Sequence, residues 1–357
     1  MIFWKKGRIS RVLRSERDIQ ELLVECEGVP CRAWNYPLLT GEARVGDEVY
    51  LNTTAVQLGL GSGGYHFVIA NLNRLPHFPE EPGHIMKLRY TPCQLKVLSV
   101  EEEASPHHGR IRDFSSLNGT PVIVGTLHSM LAPAVAGCLS EAKKGIRIAY
   151  VMTDGAALPL ALSSTVRILK RKGMLAGTVT AGHAFGGDLE SVNIYSGLIA
   201  AYTVFQADVI VVTMGPGIVG TGTNWGTTAL EQGEIVNAVS VLGGQPVVIP
   251  RISFADPRPR HRGVSHHTLT ALGKVALRQA VVVLPEMPAP QYELVEEQLA
   301  LEGILSRHRV ITVDGSPALK LLEQEGITVR SMGRTPAEDP AFFLAAGAAG
   351  RFAAGNL

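Results

Sequence analysis

Cysteine, aromatic side chains and charge are all scarce in this chain. Its 357 residues include only four cysteines, Cys26, Cys31, Cys93 and Cys138, none spaced as Cys-x-x-Cys. A chain of this length buries about 75% of its unfolded surface and needs no covalent staples. Reduced thiols in a cytoplasmic protein are the simplest expectation, and zinc on Cys26, Cys31 and Cys93 matches no known ligand spacing. Charged residues make up 18% of the chain, below the roughly 25% of an average globular protein. With 33 Lys plus Arg against 32 Asp plus Glu, the formal charge is +1, so nucleic acid is not an expected partner. No apolar run of signal-peptide length opens the chain at Met1–Arg8, and the most apolar stretch, 192–214, is broken by Asn193, Ser196, Gln206 and Asp208. A spanning helix needs about 20 mostly apolar residues, so no membrane association is expected. The hydrophobic share, 46%, excludes disorder as the main state.

What the chain has in quantity is glycine, 38 residues, and two patterns of organisation. Residues 1–100 carry short β runs such as Glu21–Glu25, Cys31–Trp34, Glu48–Leu51 and Phe67–Ala70, separated by turn signals. That spacing predicts a small barrel-like all-β domain. Residues 101–117 are polar and punctuated, as a linker would be. From 118 to 357 apolar runs of strand length alternate with helical stretches. The runs are 121–124, 146–152, 175–180, 208–214, 246–250, 280–284, 309–313 and 327–330, and among the helical stretches Leu189–Gln206 reads as a single helix. Continuous apolar strands alternating with helices predict an α/β domain with a doubly wound, mostly parallel, Rossmann-like sheet. The apolar, small-residue tail at 342–350 reads as a packed terminal helix, with a homodimer interface as the sharper alternative.

In such a sheet every strand-to-helix loop leaves at the carboxyl edge, where ligands bind. This collects Thr126, His128, Thr153, Asp154, His183, Asp188, the segment 251–267 and Asp314 on one rim. Met214–Thr228 holds a Gly-x-Gly-x-x-Gly in Gly215, Gly217 and Gly220, after a strand and before a helix. Backbone amides at a helix start hold anions, and Gly222, Thr221, Thr223 and Asn224 could add to the cradle or cap the helix. A dinucleotide fits less well, because the helix starts late and Arg251 stands where a ribose-binding carboxylate would end the next strand.

The segment Arg251–His267 concentrates four arginines and three histidines in an otherwise charge-poor chain. Arg258, Arg260 and Arg262 are candidate anion ligands. Ser265 reads as the cap of a helix beginning at His266, which keeps His266 and His267 neutral and able to act as base or ligand. The bland alternative is a solvated loop whose arginines pair with carboxylates of the first domain. Asp154, His183 and His266 are candidate proton carriers. His183, Asp188, Asp256 and His267 are candidate ligands of a divalent metal, the one cofactor the residues suggest, although Asp188 could equally cap a helix starting at Leu189. No Gly-x-Ser-x-Gly marks a nucleophile, and Cys138 reads as core. The glycine run Leu58–His66 reads as a hairpin or bulge, with a flap carrying Tyr65 or His66 as the functional alternative.

The stretches Gly46–Ala55, Gly59–Asn71 and Arg260–Thr268 resemble a bacterial family of unknown function, the domain-of-unknown-function family numbered three-eight-six-six. The resemblance extends over nearly the whole chain. It implies a cytoplasmic bacterial protein without an assigned activity, and it carries over no catalytic residue. The residues themselves point to an enzyme acting on a small anionic metabolite, phosphorylated or carboxylated, at the carboxyl edge of the sheet. The rival is a non-catalytic ligand-sensing or scaffolding protein.

Overall fold

In a computed structural model, which describes residues 1–76, 82–141 and 145–357, five N-terminal strands close into a barrel. They are β1 (Trp4–Ser15), β2 (Gln20–Cys26), β3 (Val29–Asn35), β4 (Glu48–Asn52) and β5 (His66–Asn71), in the order β1-β2-β3-β5-β4, with β4 pairing back onto β1. Alternate residues face inward, so Ile9, Leu22, Val24, Ala33, Val49, Leu51 and Val68 make one buried cluster. The strand β1 is not picked out by the sequence pattern. Its outer face carries Lys6, Arg8 and Arg11, and register shifts at Ile9/Arg11 and Val12/Arg14 interrupt the two-residue period. The glycine run joins β4 to β5, and there Tyr65 stacks on Trp34 at 4.6 Å and donates to Glu21 at 2.9 Å. The chain divides into two units, Met1–Lys96 and Val97–Leu357. Two short strands, β6 (Ile85–Lys87) and β7 (Leu95–Val97), lie at the division.

Residues 101–117, expected as a linker, form turns and a short helix, His108–Arg112, and Ile111 and Phe114 pack on the core of the second unit. That unit is built on β8 (Pro121–Val124), β9 (Ile148–Thr153), β10 (Gly177–Ala181), β11 (Leu189–Ser191), β12 (Val209–Met214) and β13 (Gln245–Val248). A two-residue ladder, β14 (Ile252–Ser253) with β15 (Gly263–Val264), comes before the last strands, β16 (Val281–Pro285) and β17 (Arg309–Val313). Eight of these strands form one sheet, β11-β10-β9-β12-β8-β13-β16-β17, parallel at every pairing. One face, including Ile123, Tyr150, Val211 and Val247, packs on helices Leu131–Glu141, Ser316–Gln324 and Pro340–Gly355. The other, including Val122, Val151, Ile210 and Val212, packs on helices Ile194–Thr203 and Glu231–Val241. Burial on both faces is why these strands read as unbroken apolar runs.

Two expectations are corrected. Leu189–Gln206 is not one helix. The first three residues are the edge strand β11, and Asn193 then caps the helix by accepting from the amides of Tyr195 and Ser196. Ile327–Arg330 is not a strand; Ile327 and Val329 are apolar because they pack on the core as irregular chain. No helix among the described residues is long and apolar enough to cross a membrane.

The apolar tail is the helix Pro340–Gly355, and its small residues are used inside the unit. A Cβ on Gly350 would come 2.0 Å from the carbonyl oxygen of Ala134, and one on Gly137 would come 2.2 Å from that of Gly347. The two helices therefore meet backbone to backbone, and Cys138 is fully buried between them and the sheet. Overpacking of this kind costs about 1–3 kcal/mol or more. Gly350→Val should lower the melting temperature by several degrees at about 2–4 °C per kcal/mol; calorimetry showing no change would mean that the helices do not touch there.

Candidate functional site

Neighbouring strands β8 and β12 send their following helices, Leu131–Glu141 and Glu231–Val241, to opposite faces of the sheet. A crevice opens above the carboxyl ends of strands where this happens. A cavity of about 290 Å³ lies there, between Leu127–Ser129 after β8 and Pro216–Ile218 after β12, with Arg330–Met332 on its wall. Its floor is fixed by His128, whose buried ring lies 2.6 Å from the Ser163 hydroxyl and 3.2 Å from that of Tyr150. Burial pushes His128 down to about 4. It is a neutral strut.

The glycine-rich loop is longer than a phosphate-binding turn. After a tight turn at Thr228–Leu230 the helix begins only at Glu231, so Gly215, Gly217 and Gly220 do not meet its free amides. The loop is tied to itself instead. Thr221 N–H donates to the Gly226 carbonyl at 2.8 Å, Gly226 N–H donates to the Thr223 hydroxyl at 3.0 Å, and the Thr221 and Thr223 hydroxyls bond each other at 3.0 Å. Asn224 is exposed, and Gly217 lines the cavity. Gly215 and Gly220 serve close approach, whereas Gly217 and Gly222 hold positive φ. An ideal Cβ at Gly220 would lie 3.0 Å from His267 Nε2, and one at Gly222 would lie 3.8 Å from Arg260 Cζ.

The segment after β13 is a braced structure. The β14–β15 ladder closes it, and inside lies Asp256, its side chain fully buried. Arg258 donates to both Asp256 oxygens, at 2.9 and 2.8 Å, with Arg251 at 3.5 Å and Arg334 at 3.6 Å. The Arg258 hydrogen bonds hold the Asp256 carboxyl well below the usual carboxylate range, and burial pushes Arg251 down to about 10. Arg258 is thus committed to an internal ion pair. Arg262 is exposed. Arg260 is exposed as well and makes no hydrogen bond or ion pair among the described residues.

Ser265 caps the helix His266–Thr270, accepting from His267 N–H at 3.3 Å, and lies 2.7 Å from His261 Nδ1. This gathers three imidazoles. Ring centroids of His261, His266 and His267 are 5.1, 5.0 and 4.3 Å apart pairwise, and each offers a nitrogen within 4.8 Å of the others. His261 and His267 are buried and His266 is half-buried. His266 Nε2 and His267 Nδ1 are buried without a hydrogen-bond partner. Burial, reinforced by Arg251 and Arg258, pushes His261 and His267 down to about 3 and lowers His266, on which Arg260 also acts. The imidazoles are neutral.

Of the candidate metal ligands, only His267 belongs to this group. Asp188 accepts from Thr178 N–H and hydroxyl, both at 2.9 Å, near the amino end of β10, whereas His183 follows its carboxyl end. The two do not share a site, Asp188 caps no helix, and Asp256 is held by guanidinium groups. Asp154 accepts from His183 N–H at 2.8 Å at the rim. Two residues were not singled out by the sequence, His261 and Glu231. His261 lies in the flagged segment, five residues before His266. Half-buried Glu231 accepts from the Thr153 hydroxyl at 2.8 Å. Burial, with the nearby Asp154 charge adding, pushes it up to about 7 against the pull of Thr153. Its signal in the sequence is an acid in the first turn of the helix that follows the glycine loop.

A family profile described as "Protein of unknown function (DUF3866)" matches residues 32–350. No match is found among curated proteins.

The raised Glu231 carboxyl favours the protonated folded state. Its stabilisation is fully present below the ordinary value of 4.5 and is lost as pH rises to about 7. Relative to Glu231→Gln, the wild type should lose up to roughly 3 kcal/mol across that window. Parallel stability curves for the two proteins in chemical denaturation from pH 4 to 8 would refute the shift.

Proposed function

The chain belongs to the DUF3866 family of unknown function, and from its own residues we propose that it is an enzyme acting on a small anionic metabolite, phosphorylated or carboxylated, at the carboxyl edge of the parallel sheet. The observation that carries this reading is Arg260, an exposed guanidinium with no counter-ion among the described residues, lying against Gly222. Its neighbours Arg251 and Arg258 already face Asp256, whereas Arg260 and Arg262 are exposed without a counter-ion among the described residues, and Arg260 is the one that lies beside the glycine loop. A planar guanidinium pairs bidentately with phosphate or carboxylate, and the glycines beside it leave room for such a group to approach.

Chemistry needs a proton carrier as well as a grip. Glu231 exchanges its proton near neutral pH, as a general acid or base must. With Asp154 nearby it forms a carboxylate pair in which burial favours the protonated form of one member. The glycine loop, which meets Arg260 at Gly222, leads directly into Glu231. A cytoplasmic location, expected from four unpaired cysteines, belongs to the same proposal.

A thermal-shift panel of inorganic phosphate, sugar phosphates, nucleotides and small carboxylic acids tests the reading. A ligand at 100 times its dissociation constant adds ~2.7 kcal/mol, several degrees for a unit of this size. Arg260→Ala should abolish the shift while leaving the unliganded melting temperature unchanged, and Glu231→Gln should abolish turnover of the stabilising compound. A shift that survives Arg260→Ala sinks the binding mode. A compound bound through Arg260 but never converted overturns the enzymatic assignment.

A further inference from the structure

We propose that His261, His266 and His267 together bind one divalent transition-metal ion of the zinc class, and that an anion held beside Arg260 completes its coordination. The metal claim does not rest on the enzymatic reading above; only the role of the anion does.

Three observations converge. The imidazoles come from two short elements, the turn Pro259–His261 and the start of the helix His266–Thr270, held in place by the β14–β15 ladder and the Ser265 cap. Their candidate nitrogens already lie within 4.8 Å of one another. Nitrogens around a tetrahedral zinc, with bonds of about 2.0–2.1 Å, sit roughly 3.3 Å apart, so small ring rotations close the site. Second, His266 Nε2 and His267 Nδ1 are buried and unpartnered. Buried polar atoms are normally satisfied, and two unsatisfied imidazole nitrogens in one cluster are what a missing ligand leaves. Third, Ser265 Oγ at 2.7 Å occupies Nδ1 of His261 and leaves Nε2 as the coordinating atom, the hydroxyl taking the outer-shell place that a carboxylate, carbonyl or water fills for most metal-bound histidines. Three imidazoles suit zinc, copper, nickel or iron and not magnesium or calcium.

The surrounding charge sets the fourth ligand. Arg251, Arg258 and Arg260 all act on His267, and Asp256 is the carboxylate acting on His261. A bare dication is disfavoured beside so many guanidinium groups. A metal-bound phosphate or carboxylate bridging to Arg260 relieves that repulsion, so metal and anion should bind cooperatively.

The test uses the full chain, stripped with chelator and titrated with Co²⁺. We expect one ion per chain, with the intense visible absorption of a four- or five-coordinate cobalt site, displaced by Zn²⁺. His266→Gln and His267→Ala should each weaken binding by more than the 10–100-fold typical of outer-shell losses, and His107→Ala should not. Absence of saturable cobalt binding by the wild type, or binding undiminished in His266→Gln, overturns the site. Should His267→Ala fail to fold, the half-buried His266→Gln and the wild-type stoichiometry still decide. Inorganic phosphate should tighten cobalt binding in the wild type and not in Arg260→Ala. Cobalt binding indifferent to phosphate removes the anion from the coordination sphere and counts against the anionic-substrate reading, while the three-histidine site stands.

Discussion

A single buried carboxylate organises the upper edge of the second unit. Asp256 is sealed from solvent with the guanidinium groups of Arg258, Arg251 and Arg334 between 2.8 and 3.6 Å away. Breaking such a cluster by removing one partner strands the opposite charges in a medium that solvates them poorly. Arg334 also bonds Asp339, which accepts from Ser253 at 2.7 Å, so the cluster ties the segment after β13 to the chain that enters the last helix. Everything of chemical interest in 260–267 hangs from this clamp. It holds the turn that presents His261, and by engaging Arg258 and Arg251 it leaves Arg260, beside the glycine loop, with no ion pair among the described residues.

The second constraint is the close approach of the glycine loop. Its Gly-x-Gly-x-x-Gly is the pattern of a phosphate cradle, yet the helix starts too late for that role. Gly215 and Gly220 are needed because side chains would not fit, and Gly217 because its φ of 104° lies in the left-handed region. Gly215 faces the Ala157 carbonyl, where a Cβ would come to 2.2 Å, and Gly220 faces His267. One glycine-rich signature thus stands for two different physical needs, and only the position of the helix start separates them.

The fold was legible where burial is symmetric. Strands covered on both faces, such as β9 and β12, are buried at every residue and apolar but for Thr153 and Thr213, and a series of them points to a parallel sheet. Reading failed where apolarity had another cause, as at Ile327 and Val329, or where the element was too short to show a period, as at β11. The site was half legible. Arg260, His266 and His267 lie within eight residues, and Ser265 announces the helix that carries two of them. Asp188 and His183 look paired in sequence because only four residues separate them, but the β10–β11 connection carries Asp188 back toward the other end of the strand. Glu231 is ordinary in sequence; its desolvation and the nearby Asp154 exist only once β9 and the loop after β12 are side by side.

The glycine-lined crossing of helices Leu131–Glu141 and Pro340–Gly355 joins segments separated by about two hundred positions. During synthesis, the first helix lacks its main partner until residues 340–355 have left the ribosome, with the helix Ser316–Gln324 packing on it earlier. Its alanine, valine and leucine side chains stay partly uncovered over that interval, since pairing at such sequence separation is slow and late. This arrangement makes assembly of the second unit a closing event rather than a progressive one, while the barrel, whose strands all lie within residues 4–71, can form as soon as it emerges.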